Sequence, residues 1–284
     1  MKIEIGKTAG FCYGVKRAVE ETKKELDKNK RIDCLGELVH NKQVIEKLEK
    51  AGMNIIDKIE EATNKVIIRA HGVPKETMEK AKTKNIEIID LTCPKVLKIH
   101  EIAEEYAKQG YYIFLLGSKK HPENIGTISY CGKNSSIIEN EEEALKELEK
   151  FEKSGLKKLL VISQTTYSLE KFYIIEEIIR NETKKDVELV IKNTICQATE
   201  LRQKETEELS KKVNYMIIIG GKNSSNTKKL YEIAKKNCEN SICIETKEEI
   251  NIDEIKQFEK VGIMAGASTP QESITEVIEK IKEE

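Results

Sequence analysis

Cys12, Cys93 and Cys196 each head a copy of one internal repeat, and the polar residues behind them recur at fixed distances. His40 follows Cys12 by 28 residues, His121 follows Cys93 by 28, and Ser224 follows Cys196 by 28. Thr165 and Ser268 both stand 72 residues beyond the cysteine of their copy, whereas His71, the matching landmark of the first copy, comes after 59. Such spacing predicts three related α/β units, each lending one thiol and two polar loops to a shared centre. Three thiolates aimed at one point are ligands for a metal. Zinc knuckles bring their cysteines in close pairs, and none of these three has such a neighbour. An iron-sulfur cluster fits better: three thiolates hold three corners of a 4Fe-4S cube, leaving one iron to take a substrate oxygen while electrons pass singly. A Cys3His zinc site, within a zinc-stabilised interaction protein rather than an enzyme, stays open as an alternative.

Each cysteine also directly precedes a helical pattern: "VKRAVEETKKEL", "KVLKIHEIAEEYAK" and "ATELRQKETEELSKK". A helix N-terminus offers free N–H groups and a partial positive charge, which favour a thiolate. The remaining four of the seven cysteines read as structural. Cys34 and Cys243 sit in the strand-like "IDCLG" and "SICIE" as small buried hydrophobes, and Cys131 and Cys238 fall outside the repeat landmarks. An odd count with no signal peptide argues against a disulfide framework and for a reducing, cytoplasmic setting.

The polar loops point to an anionic substrate. His40, His71 and His121 follow predicted strands, while His100, the fourth histidine, reads as an ordinary residue within a helix. Ser224, Ser225 and Asn226 stand just ahead of a helix, where backbone N–H groups suit phosphate oxygens. Thr269, Pro270 and Glu272 read as a capping box with proline at the first helical position, which leaves Ser268 to reach a ligand. Together these groups predict a diphosphate. Glu123, two residues after His121, is the carboxylate expected nearest the centre and therefore the proton donor. In "SQTTYS", Thr165 or Thr166 is placed to orient a substrate hydroxyl or relay its proton.

Positioning these loops requires strands that all end on the same side of a sheet. Nine short β-branched runs, "KIEI", "IDCL", "VIIR", "IEIID", "YYIFLL", "LLVI", "VELVI", "YMIII" and "VGIMA", alternate with helical patterns, which predicts parallel sheet with crossover helices. Almost every residue of interest lies in the loop after a strand, where open α/β sheets bind ligands. Boundaries expected near residues 85 and 185 give three units, 1–85, 86–186 and 187–284. Lys plus Arg number 49 and Asp plus Glu 50, so no global field draws the chain to nucleic acid or to an anionic membrane. No apolar run approaches a membrane span.

The motifs "GFCYGVKRA", "ELVHN", "RAHGVP", "LTCP", "GSKKHPENIGT", "SQTT", "NTICQAT", "GGKNSSNT" and "GASTP", in that order and nearly end to end, closely resemble the 4-hydroxy-3-methylbut-2-enyl diphosphate reductases. The resemblance implies three pseudo-symmetric α/β units in a trefoil-like arrangement around a central 4Fe-4S cluster on Cys12, Cys93 and Cys196. It implies that His40, His71, His121, Ser224, Ser225, Asn226 and Ser268 bind the diphosphate, and that Thr165 and Glu123 serve the hydroxyl end and proton delivery. The implied reaction is a two-electron, two-proton reductive dehydroxylation yielding isopentenyl and dimethylallyl diphosphates, with a ferredoxin or flavodoxin as electron donor. Quinolinate synthase, which builds a three-cysteine cluster from three pseudo-symmetric units for a condensation and dehydration, is the competing enzyme reading. The "NSSN" and "HPE" loops stand against it.

Overall fold

The computed structural model describes residues 1–283. Its strands are β1 (Lys2–Ile5), β2 (Ile32–Leu35), β3 (Met53–Ile56), β4 (Lys65–Ile68), β5 (Glu87–Asp90), β6 (Tyr112–Leu116), β7 (Ser135–Ile138), β8 (Lys158–Ser163), β9 (Glu188–Ile191), β10 (Tyr215–Ile219), β11 (Ser241–Ile244) and β12 (Lys260–Ala265). The helices between them are α1 (Tyr13–Asn29), α2 (Lys42–Lys50), α3 (Lys75–Thr83), α4 (Pro94–Lys108), α5 (Pro122–Ile128), α6 (Glu141–Lys153), α7 (Leu169–Glu182), α8 (Gln197–Ser210), α9 (Ser225–Asn237), α10 (Ile252–Ile255) and α11 (Gln271–Glu283). Among the described residues, none of these helices is long and apolar enough to cross a membrane.

The strands form three four-stranded sheets, ordered β3-β2-β4-β5, β7-β6-β8-β9 and β11-β10-β12-β1. Every pairing is parallel. The α/β class expected from the alternating runs is therefore the one observed, but the sheets are divided differently from the expected segments. Each sheet takes its fourth strand from the next repeat: β5 and β9, which lie beyond residues 85 and 185, pair with β4 and β8. The last sheet takes β1 from the very start of the chain, Ile3 opposite Val261. One pattern is thus used three times and closed in a circle.

The chain divides into two compact units. The first comprises Met1–Val19, Val39–Lys50 and the chain from Gln197 onward, and the second comprises Glu20–Leu38 and Ala51–Cys196. In the first unit, β10 shows why its residues run apolar without a break. Tyr215, Ile217 and Ile219 pack on one side with Ile274, Val277 and Ile281 of α11, while Met216 and Ile218 pack on the other with Leu209 of α8 and Leu230 of α9. Both faces of a parallel sheet are covered, so both residue parities must be hydrophobic. In the second unit, Phe114 and Leu116 of β6 join one core, and Ile113 and Leu115 join another.

The repeat persists in polar detail. After β6, the Lys119 N–H donates to Glu139 (3.0 Å), the Glu139 N–H to Glu143 (3.0 Å), and the Lys119 ammonium binds Glu143 (2.5 Å). After β10 the same latch joins Lys222, Glu245 and Glu249. Each latch holds the loop that leads from a strand-ending glycine, Gly117 or Gly220, to a helix N-terminus.

Candidate active site

The three repeat cysteines occupy equivalent places. Each follows an outer strand of its sheet, β1, β5 or β9, and each stands one residue before α1, α4 or α8. Their backbone N–H groups make equivalent bonds: Cys12 to Ala267 O (3.0 Å), Cys93 to Ala70 O (3.0 Å) and Cys196 to Thr165 O (2.9 Å). All three are partly exposed. Cys34 and Cys131, by contrast, are buried, and burial pushes both thiols up to about 12. Cys238 is also buried, and Cys243 is half-buried rather than enclosed as its strand-like setting suggested.

These bonds correct the register read from spacing. The residues after the three acceptors are Ser268, His71 and Thr166. Ser268 therefore corresponds to Thr166, one residue beyond the Thr165 that the shared spacing of 72 matched to it. His71, which seemed out of step, falls into line. The first copy reaches β4 through the three-residue turn Ile59–Glu61, where the second inserts α6.

The loops after β2, β6 and β10 end in helix caps. His121 caps α5, with its Nδ1 accepting the Glu123 N–H at 3.2 Å, and Ser224 caps α9, with its hydroxyl accepting the Thr227 N–H at 3.4 Å. Because Nδ1 accepts, the His121 proton sits on Nε2. In the first copy the capping atom belongs to Asn41, whose Oδ1 accepts the Val44 N–H at 3.1 Å. His40 lies one residue outside the cap, and its carbonyl receives the Ser268 hydroxyl at 2.8 Å. Thr269 does not cap α11 as expected; its hydroxyl donates to Ile219 O at 2.9 Å.

Aligning the two caps pairs Glu123 with Asn226, each two residues into its loop-to-helix junction and each only 2% exposed. Neither Oδ1 nor Nδ2 of Asn226 has a hydrogen-bond partner. An enclosed amide with both ends unsatisfied is costly unless a ligand completes it. The Ser225 backbone lies between Asn226 and the cap at the first turn of α9.

Glu123 is fully engaged. Its Oε1 accepts the Thr165 N–H and its Oε2 the Thr165 hydroxyl, both at 2.6 Å. Burial pushes the carboxyl up to about 7 against the lowering effect of those two bonds, so it holds a proton near neutrality. Thr165 then joins Glu123 to Cys196 through its own carbonyl. The rings of His71 and His121 meet edge to face, 5.5 Å between centroids. The second unit thus brings His71, His121, Glu123, Thr165 and Cys196 into one connected set, and Cys93 binds the loop that carries His71. The first unit links Cys12, Ser268 and His40 through the Ala267 and His40 carbonyls and sets Ser224, Ser225 and Asn226 at the head of α9.

Two supporting residues escaped notice in the sequence as anything but loop or helix. Asn124 donates to Gln164 Oε1 (2.8 Å) and Ser118 O (2.8 Å), and Gln164 Nε2 donates to the Thr166 hydroxyl (2.6 Å), fixing the turn that presents Thr165. Gly117 is their signal: a Cβ there would stand 2.3 Å from Asn124 Nδ2. His100 proves to be core, stacked on Tyr130 at 4.2 Å, and burial pushes its pKa down to about 4.

Comparison with known proteins covers the whole of this arrangement. A family model described as LytB protein matches residues 3–282. The 4-hydroxy-3-methylbut-2-enyl diphosphate reductase of Caldanaerobacter subterraneus subsp. tengcongensis is 46% identical over 99% of this chain and 97% of its own length. That of Clostridioides difficile is 42% identical over 98% of each chain. A solved structure of (E)-4-hydroxy-3-methyl-but-2-enyl diphosphate reductase, described as the terminal enzyme of the non-mevalonate pathway, shares 37% identity and a TM-score of 0.72 over 100% of both chains. The E-1-hydroxy-2-methyl-but-2-enyl-4-diphosphate reductase from Plasmodium falciparum superposes with a TM-score of 0.89 at 30% identity, over 98% of this chain and 87% of that one. Matched by the family model from residue 3 to residue 282, this chain belongs to the LytB protein family.

Proposed function

We propose that the chain is an iron-sulfur reductase that converts 4-hydroxy-3-methylbut-2-enyl diphosphate to isopentenyl and dimethylallyl diphosphates. The allylic C–O bond breaks, two electrons and two protons enter, water leaves, and protonation at either end of the allyl group gives the two products. The single observation that carries this reading is the buried Glu123–Thr165 pair, a protonated carboxyl tied to a hydroxyl one backbone bond from Cys196.

Cys12, Cys93 and Cys196 would hold a 4Fe-4S cluster. They suit it because they are accessible thiols at helix N-termini, whereas Cys34 and Cys131 are enclosed and stay protonated. When bound, such a cluster supplies single electrons and an iron open to a substrate oxygen. A ferredoxin or flavodoxin type donor would recharge it. For delivery the Glu123–Thr165 bond turns around: the protonated carboxyl donates to the Thr165 oxygen, whose own hydrogen then faces and passes to the substrate hydroxyl, so the leaving group departs as water. His121 donates from Nε2, and Ser224, Ser225 and Asn226 donate at the head of α9, where the helix dipole also favours an anion. His40, His71 and Ser268 complete the diphosphate contacts. With about 1.5–3 kcal/mol for each charge-assisted bond, several suffice to anchor a small substrate.

Anaerobic incubation of the iron-loaded protein with the hydroxylated C5 allylic diphosphate and a low-potential reductant tests the reading. Both C5 diphosphate products should form, and their absence would overturn it. Iron analysis tests the ligands separately: Cys93→Ser should lose bound iron and Cys34→Ser should keep it, while equal loss from both would refute the assignment.

A further inference from the structure

We propose that Arg202 and Glu205 of α8 are positioning residues for the Cys12 thiol, clamping the loop that carries it. α8 is poor in apolar residues, yet Thr199, Arg202, Gln203, Thr206 and Ser210 along it are buried. Such a face serves polar neighbours. Glu205 accepts three hydrogen bonds from the loop after β1: the Lys7 N–H (2.6 Å), the Thr8 N–H (2.8 Å) and the Thr8 hydroxyl (2.5 Å). One turn earlier, Arg202 donates to Gly10 O at 2.6 Å and is anchored to its own helix through Ala198 O at 2.9 Å. Carboxylate and guanidinium together bind both donors and acceptors of residues 7–10, leaving the chain to enter Cys12 from a fixed point.

The other two cysteine loops carry local turns of their own, and the Thr194 hydroxyl also ties the second of them to Ser163 O at 2.6 Å. Asp90 accepts the Thr92 N–H at 2.9 Å just before Cys93, and Asn193 accepts the Ile195 N–H at 3.0 Å just before Cys196. These local turns order a loop at little entropic cost. The segment between Ile5 and Cys12 is longer than the one before Cys93 and bends at Gly10, whose φ is +100°. Its order is supplied from α8 instead. That helix starts at the residue after Cys196, so one element is joined by the chain to one proposed ligand and by hydrogen bonds to the loop of another.

The proposal rests on the reading of Cys12 as a cluster ligand, and its test does not require the cluster. In the metal-free full-length protein, a brief iodoacetamide pulse followed by peptide mass spectrometry compares Cys12 with Cys93 as an internal reference. Glu205→Gln sets an amide N–H against one backbone donor, that of Lys7 or of Thr8, and removes the charge from the remaining bonds. Cys12 alkylation should then rise about ten-fold, the effect of losing one or two charge-assisted bonds, with Cys93 unchanged. Thr8→Val, which removes one of the bonds without touching α8, should give a smaller rise at Cys12 alone and serves if Glu205→Gln does not fold. In reconstituted protein the same variants should release iron faster to a ferrous chelator. Unchanged Cys12 reactivity, or a parallel rise at Cys93, overturns the clamp. Full iron content in Cys12→Ser would instead overturn the ligand assignment, a separate outcome that the alkylation ratio does not depend on.

Discussion

Glu123 and Asn226 occupy one repeat position and have been made to do opposite work. A carboxyl enclosed with two donors stays protonated near neutrality, whereas an amide enclosed with none leaves both its ends unsatisfied. Glu123→Gln should keep iron and substrate binding but lose at least about a hundred-fold in turnover, within the usual contribution of a general acid. Normal turnover would remove Glu123 from the mechanism. The same carboxyl makes stability depend on pH. Between its ordinary value of 4.5 and its folded value of about 7, the folded protein keeps a proton that the unfolded chain has released, so stability falls as pH rises through that window. Buried His100, held down to about 4, makes stability rise with pH over much of the same range, so the test is the difference between proteins: in urea titrations of the metal-free protein, Glu123→Gln should gain on the order of 3 kcal/mol relative to the unsubstituted chain across the window. Asn226→Leu carries the complementary expectation. Removing two unsatisfied polar atoms should stabilise the metal-free protein by about 1–3 kcal/mol while raising KM for the diphosphate, and a variant that is less stable with unchanged KM would contradict it.

At the level of strands and helices, the glycines that end β6 and β10 decide whether the loops leading into α5 and α9 can form. A Cβ on Gly220 would stand 2.6 Å from the Thr227 hydroxyl and 2.8 Å from that of Thr269. Gly220→Ala should therefore cost about 1–3 kcal/mol in thermal unfolding, and an unshifted melting temperature would show that the loop relaxes freely. Reading the sequence located nine of the strands and every cysteine-bearing helix start, because buried strands run apolar and helix starts follow turn residues. β3 and β7 carry no such signal, and β11 shows only as the strand-like "SICIE" outside the nine runs; the three are the same outer strand of each sheet, four residues long, half-exposed and interrupted by asparagine or serine. The cysteine loops and the His121 and Ser224 caps were legible from their spacing, whereas the place of His71 and the match of Ser268 with Thr166 were not. Their supports were not, since the Gln164–Asn124 bridge and the buried polar face of α8 join segments far apart in the chain, and no periodicity announces them.

Across the whole chain, the circular sharing of strands makes each sheet depend on a neighbouring repeat. The last sheet depends on the first residues of the chain, where Ile3 packs against the core that includes Val261 and Ile263. Ile3→Asp should raise amide exchange in β10 and β12 while leaving β6 and β8 protected, and a uniform rise throughout would mean that the sheets are not separately closed. The borrowed strand also sets an order of events during synthesis. β1 emerges first but has no partner until β12 is made, roughly 10–50 s later at ordinary elongation rates. Sheets ending in β5 and β9 can be completed before β10 and β12 are made; the one that anchors Cys12 must wait for β12. On the proposed ligation, the cluster can be inserted only after β12 is made, because a shorter chain offers Cys93 and Cys196 beside finished sheets but not Cys12.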